Sequence, residues 1–310
     1  MQITTNITIV TATLNRRHML ARSLASAGRQ GREGVQHLVI DGGSTDGTLQ
    51  MLLDFPHLEV VSEPDLNLYD AWNKGISRAN GEFIFLLNSD DEMMDGAVAE
   101  ARRVAAAYPD AELISGPVML TRGHDSADEW TVLIDDPLMV GLRQQDVGPG
   151  IPLTNGRFIS RRLLDRIGVF DVRYQVASDR QFFLRALASN AVNVTTAVPF
   201  YRYHVHDTSL TLNDNEPSDV YAEECLRICV DGLREAKDDA TRNMYQRWHA
   251  WCVFYLVLFR IRETALREAV ITFANGCERD PLLTARAIPQ LVRHFWERDR
   301  RRGRPLGSHP

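Results

Sequence analysis

Apolar residues along the first 120 positions follow two rhythms that take turns. Short runs rich in Val and Ile, at Ile7–Thr11, Val35–Ile40, Leu58–Ser62, Phe83–Leu87 and Leu113–Val118, have the length of buried strands. Between them Arg16–Gly28, Thr45–Leu53, Tyr69–Ala79 and Ala97–Tyr108 read as helices. Strand runs that are apolar throughout and separated by helices predict an α/β fold with a mostly parallel sheet covered on both faces. Ligands of such sheets bind beyond the carboxyl ends of the strands. Three of those ends carry polar clusters here: Thr11–Asn15, Asp41–Asp46 and Asn88–Asp91.

The alternation stops near Thr121, and Thr121–Gly156 is rich in Gly, Pro and acids, the composition of long loops suited to a lid or an acceptor-facing surface. Beyond Asp219 the pattern is helical, and Trp248, Trp251, Phe254, Tyr255, Leu258 and Phe259 recur at helical spacing, as expected of a buried helix seam. The longest uncharged run, Trp248–Phe259, is too short to span a bilayer.

Composition narrows the function without naming it. The 310 residues are 44% hydrophobic, enough for one large domain with an appendage. A net charge of −6 argues against nucleic-acid binding through a basic surface, although Arg298, Arg300, Arg301, Arg302 and Arg304 crowd the C-terminal tail. Four cysteines without a CxxC pair, and a start lacking a basic-then-apolar segment, predict a reduced, cytoplasmic setting.

Chemistry enters at the strand ends. The run Phe83–Leu87 ends in Asn88–Ser89–Asp90–Asp91, and adjacent carboxylates repel unless solvent, hydrogen bonds or a cation offset the charge. A hard divalent ion bridging carboxylate and phosphate oxygens would do so, and a solvated helix cap is the plainer alternative. Asp41–Gly42–Gly43–Ser44–Thr45–Asp46–Gly47–Thr48 joins a strand to a helix; Asp41 could accept from a base N–H or a ribose hydroxyl, and Ser44 or Thr45 could cap the helix.

Taken jointly, Thr13–Leu14–Asn15–Arg16, Val39–Ile40–Asp41 with its loop, Ser62–Glu63–Pro64–Asp65, Tyr69–Asp70–Ala71–Trp72–Asn73–Lys74–Gly75, Leu87–Asn88–Ser89–Asp90–Asp91, Gly168–Val169–Phe170–Asp171 and Ala177–Ser178–Asp179–Arg180 resemble the family-2 glycosyltransferases in order and spacing. The resemblance covers about residues 5 to 210. It implies a GT-A fold, a Rossmann-like mixed sheet flanked by helices, over residues 1–215, with a helical C-terminal extension over 216–310.

The resemblance further implies that Thr13, Asn15, Asp41, Asp65, Asn73, Asp90 and Arg202 bind the nucleotide sugar, with Asp41 at the base, Asp90 at the ribose and Arg202 at the diphosphate. Asp91, with His206 preferred over His204, would meet Mn2+ or Mg2+; the family's DxD here reads Ser89–Asp90–Asp91, and Leu14 stands where an aromatic is common. Asp179 would be the general base of a single, inverting displacement, although Ser178–Asp179 before a helix also reads as a plain N-cap. The implied partners are a nucleoside-diphosphate sugar, UDP-type above others, and a glycan or lipid-linked acceptor in surface-polysaccharide assembly. The C-terminal helices and basic tail could touch the inner membrane face. A sugar nucleotidyltransferase is the rival enzyme reading, though Thr11–Arg17 lacks its glycine-rich phosphate loop. A non-catalytic scaffold is the other, though both Asp91 and Asp179 are present.

Overall fold

The computed structural model describes residues 5–122, 130–135, 140–144, 147, 155–206 and 219–288. These fall into two compact units, one within 1–142 and 152–216, the other within 143–151 and 217–310.

In the first unit β1 (Ile7–Thr13), β2 (Val35–Asp41), β3 (Glu59–Ser62) and β4 (Phe83–Asn88) are parallel, with helices α1 (Arg17–Gly28), α2 (Thr48–Leu52) and α3 (Leu68–Arg78) between them. Next come β5 (Glu92–Met93), α4 (Ala97–Ala107), β6 (Leu113–Ser115), β7 (Val118–Arg122), β8 (Trp130–Ile134), β9 (Arg157–Ser160), α5 (Arg161–Ile167), α6 (Ser178–Ala188), β10 (Asn193–Thr195) and β11 (Tyr201–Val205). Seven strands form one sheet in the order β10-β6-β9-β4-β1-β2-β3, and β9 runs antiparallel to both its neighbours. A second sheet has the order β5-β11-β7-β8.

The core strands β1 and β4 are buried on both faces along almost their whole length, β4 mainly with apolar side chains and β1 with Thr8, Thr11 and Thr13 among them. Helix α3 lies close against β1 and β2 because residue 75 is glycine: a Cβ there would stand 2.3 Å from Val10 Cγ1 and 3.3 Å from Ile40 Cγ1. The run Leu113–Val118 is not one strand. Pro117 has no amide hydrogen for a ladder, and Gly116 packs so tightly that a Cβ would meet the Val198 carbonyl at 2.5 Å, so the chain leaves the first sheet as β6 and enters the second as β7.

In the second unit α7 (Asp219–Glu235), α8 (Asp239–Arg262) and α9 (Leu266–Arg279) follow one another. Asp238 caps α8, accepting from the Thr241 amide at 2.8 Å and its hydroxyl at 2.9 Å. Trp248, Cys252, Val253 and Leu256 are buried, while Leu258 is exposed. No helix among the described residues is long and apolar enough to cross a membrane.

Candidate active site

The parallel strands deliver Thr13, Asp41 and Ser62 to adjacent positions, Thr13 paired with Asp41 and Asp41 with Ser62 in register. Asp41 is fully buried, and its Oδ2 accepts from the amides of Gly43 and Ser44 at 3.1 and 3.0 Å and from the Ser62 hydroxyl at 2.7 Å. Its Oδ1 is buried without a hydrogen-bond partner, and so is the hydroxyl of Thr13. Buried polar atoms in that condition cost free energy until something bonds to them, about 1–3 kcal/mol each.

Asn15 has a left-handed φ of 53° and ties its loop to the next one. Its amide donates to Ser44 Oγ at 2.8 Å, and its Oδ1 accepts from the Thr45 amide at 2.8 Å. Ser44 and Thr45 therefore do not cap α2; Gly47 does, with a φ of 88°, and Asp46 accepts from the Thr48 amide at 3.0 Å. Leu14, at the tip between these loops, is 53% exposed. Asp65 is bound to Lys74 at 2.7 Å, and Lys74 also donates to the Pro64 carbonyl at 2.7 Å.

The two neighbouring acids are placed very differently. Asp91 is 1% exposed and both its oxygens are taken: Oδ2 accepts from the Tyr201 hydroxyl at 2.7 Å and from Asn88 Nδ2 at 3.1 Å, and Oδ1 accepts from the His204 amide at 2.8 Å. Burial, then the neighbouring Asp90 charge, push its carboxyl well above the usual carboxylate range. Expected at the metal, Asp91 is held here by Asn88, Tyr201 and His204 and ties β4 to β11. Asp90 is the partly exposed acid, and its Oδ2 lies 3.0 Å from His206 Nε2. The ring of His204 turns instead to Glu92, 2.9 Å away.

Arg202 also faces Glu92, at 3.7 Å, as do Arg22 at 4.0 Å and Arg29 at 3.7 Å. The Glu92 carboxyl is held below its usual range by the His204 hydrogen bond and the charges of Arg202 and Arg22, which outweigh its burial. Among the described residues no group of three or more His, Cys, Asp or Glu could hold a metal by itself. A carboxylate beside an imidazole, as in the Asp90–His206 pair, could hold a divalent ion that completes its shell with water and diphosphate oxygens.

Asn73, expected at the nucleotide sugar, bonds to the polypeptide through both ends of its side-chain amide. Its Nδ2 donates to the Phe170 carbonyl at 2.8 Å and its Oδ1 accepts from the Phe170 amide at 3.0 Å, so it clamps α3 to the segment leading into α6. Asp179 sits in the first turn of α6, one position inside the helix rather than at the cap, which is Ala177. Its Oδ1 accepts from the Arg180 amide at 2.7 Å and from the Tyr69 hydroxyl at 3.3 Å.

Residues 8–140 match the family model described as Glycosyl transferase family 2. That segment belongs to glycosyltransferase family 2. The chain is similar to an uncharacterized glycosyltransferase of Mycobacterium tuberculosis, 29% identical over 225 residues, 70% of this chain and 80% of that one. It is also similar to a PGL/p-HBAD biosynthesis glycosyltransferase of Mycobacterium bovis, 26% identical over 59% of this chain and 70% of that one. Two solved structures share the fold. TarS 1–349 of S. aureus, in complex with UDP-GlcNAc, matches with a TM-score of 0.65 and 15% identity over 90% of this chain and 81% of that one. Against a longer TarS chain the match spans 42% of that chain. The mannosyltransferase PcManGT of Pyrobaculum calidifontis, in complex with GDP-Man and Mn2+, matches with a TM-score of 0.55 and 16% identity over 96% of this chain and 88% of that one. The chain thus has the expected GT-A fold.

Proposed function

We propose that this glycosyltransferase moves a sugar from a uridine diphosphate donor to a hydroxyl of a glycan or lipid-linked acceptor, with inversion, in the assembly of a surface glycan or glycolipid at the cytoplasmic face of the membrane. The observation that carries the donor is the single buried Asp41 Oδ1 without a partner, beside the equally unpartnered hydroxyl of Thr13. A uracil imide edge offers one N–H flanked by carbonyl oxygens, which matches one acceptor and one hydroxyl. Guanine offers two N–H donors, and Asp41 Oδ2 already accepts from three groups. TarS, bound to UDP-GlcNAc, supports a nucleotide-sugar donor of this kind.

Asp90 and His206 would hold a divalent ion, as the Mn2+ of PcManGT also suggests. When bound, the ion offsets the charge that develops on the departing diphosphate. The acceptor oxygen bonds to the anomeric carbon as the bond from that carbon to the diphosphate oxygen breaks, its electron pair leaving with the diphosphate. The acceptor proton passes to the Asp179 carboxylate. One base and no second nucleophilic carboxylate make this a single displacement that inverts the anomeric centre.

Thermal unfolding of the full chain with UDP, GDP, dTDP or CDP, each with and without Mn2+, tests the donor. Stabilisation by UDP that grows with Mn2+ is expected, because a ligand that binds only the native state raises Tm by mass action. Stronger stabilisation by GDP would overturn the uridine reading, and none by any nucleotide would overturn the transferase reading.

A further inference from the structure

Tyr69 belongs to no part of the nucleotide edge, yet it is the residue through which α3 reaches Asp179. Its ring is buried, 4% exposed, and its hydroxyl donates to Asp179 Oδ1 at 3.3 Å. The surroundings hold that hydroxyl in place from three directions. The ring stacks on Phe170 at 5.9 Å and meets Trp72 edge-on at 5.5 Å. Phe170 packs in turn against Phe182, on the same helix as Asp179, at 4.8 Å. At the start of α3, Asn67 accepts from the Tyr69 amide at 3.1 Å while its Nδ2 donates to the Val172 carbonyl at 3.0 Å, and Asn73 bonds both ways to Phe170 one turn further on.

A ring needed only for packing would be as well served by phenylalanine. A phenol whose oxygen reaches a carboxylate through an otherwise apolar cluster calls for a reason, because burying a hydroxyl is costly unless it is hydrogen-bonded. We infer that Tyr69 is a positioning residue for the reaction: its hydroxyl fixes the rotamer of the Asp179 carboxylate so that the acceptor hydroxyl meets it in line with the donor's anomeric carbon. The inference rests on the reading of Asp179 as the base and adds how that base is aimed. Burial and the Asp179 charge both raise the phenol well above its usual range, so Tyr69 keeps its proton and stays a donor throughout the working pH range. At 3.3 Å the bond is longer than an ordinary O–H···O contact, as catalytic hydrogen bonds often are before substrate is bound.

Tyr69→Phe in the full chain tests the inference, since it keeps the ring and removes only the donor. Transfer is measured with the donor that stabilises the protein and an alcohol or glycan acceptor, across pH. The expected result is a kcat about tenfold lower, an unchanged KM for the donor, and an acid limb of kcat moved to higher pH by a carboxylate that has lost a donor. Site-specific replacement of Tyr69 by 3-fluorotyrosine, a stronger donor of nearly the same shape, should move that limb the other way, a response that a packing role would not give. Wild-type kcat and an unmoved acid limb in Tyr69→Phe would overturn the positioning role. Should the phenylalanine variant fail to fold, an unmoved limb in the fluorotyrosine protein overturns it equally. Asp179→Asn run alongside separates the two readings: if it remains active, the base assignment falls; if it is inactive while Tyr69→Phe is normal, only the role of Tyr69 falls.

Discussion

The proposed nucleotide edge and the proposed base edge of the first unit are built from different materials. At the ends of β1, β2 and β3, polar loops are tied to one another by hydrogen bonds, Asn15 to Ser44 and Thr45, and Asp41 to Gly43, Ser44 and Ser62. Two buried oxygens there, Asp41 Oδ1 and Thr13 Oγ1, have no hydrogen-bond partner. Around Asp179 the support is aromatic, Tyr69, Trp72, Phe170 and Phe182 packed ring to ring, with two asparagines pinning the backbone between them. The first construction suits recognition, since hydrogen-bonding groups read a base edge. The second suits aiming a single carboxylate, since a packed cluster resists small displacements. Substitutions on the first side should therefore change affinity, and those on the second should change rate or stability.

Asp179→Asn is expected to show the largest effect and the cleanest separation. Removing a general base costs about 10²–10⁴-fold in rate, while the Kd for UDP with Mn2+, measured by calorimetry, should stay at the wild-type value. Matched losses of rate and nucleotide affinity would break the division between the two edges.

Asp41→Asn probes the opposite edge. The variant keeps the size of the side chain but weakens the acceptor and places an amide where the base N–H would come. A hydrogen bond to a charged group contributes about 1.5–3 kcal/mol, on the order of ten- to a hundredfold in Kd. The same calorimetry should record that loss for UDP, with the rate at saturating donor little changed. An unchanged Kd would mean that the unpartnered Asp41 oxygen has no part in reading the base.

How much of this was legible in the sequence follows the same line between local and distant contacts. The α/β rhythm, the parallel central strands and the polar strand ends were legible because each is encoded within a dozen residues. The shortened α2 was not, because Gly47 at its cap and the loop ties of Ser44 and Thr45 override a helical pattern that starts at Thr45. The resemblance places Asp90 at the ribose and Asp91 at a metal, but carries no sign of which acid is buried. Which acid is buried is decided by Tyr201 and His204, more than 100 positions away, and adjacent residues carry no mark of that. The motif containing Ser62 gives that serine no role; its place at a strand end beside Asp41 is the available signal.

Asn73→Ala distinguishes a clamp from a ligand contact. Two hydrogen bonds to the Phe170 backbone would be lost, at about 1 kcal/mol each. A lower urea midpoint with unchanged m and an unchanged Kd for UDP is expected. A selective loss of nucleotide affinity at wild-type stability would return Asn73 to the nucleotide edge.

The smallest effect distinguishes the nucleotide edge by pH. His37, on β2 four residues before Asp41, is buried with its Nε2 3.0 Å from the Thr11 hydroxyl, and burial, aided by the charge of His57, lowers its pKa to about 3. Above the ordinary histidine value of about 6.5 the ring is neutral in both folded and unfolded chains and contributes no pH dependence. Below it the unfolded chain takes up a proton that the folded one refuses, so stability falls with falling pH until the folded value is reached. Over that window the slope is about 1.4 kcal/mol per pH unit, which at pH 5.5 makes a loss of roughly 1.4 kcal/mol relative to pH 7.5. His37→Gln keeps a polar partner for Thr11 and cannot titrate, so its urea midpoint should fall less than the wild type's between those two pH values. Parallel falls in the two proteins would show that His37 is protonated in the folded state and that the strand beneath Asp41 is more open to water than its burial implies.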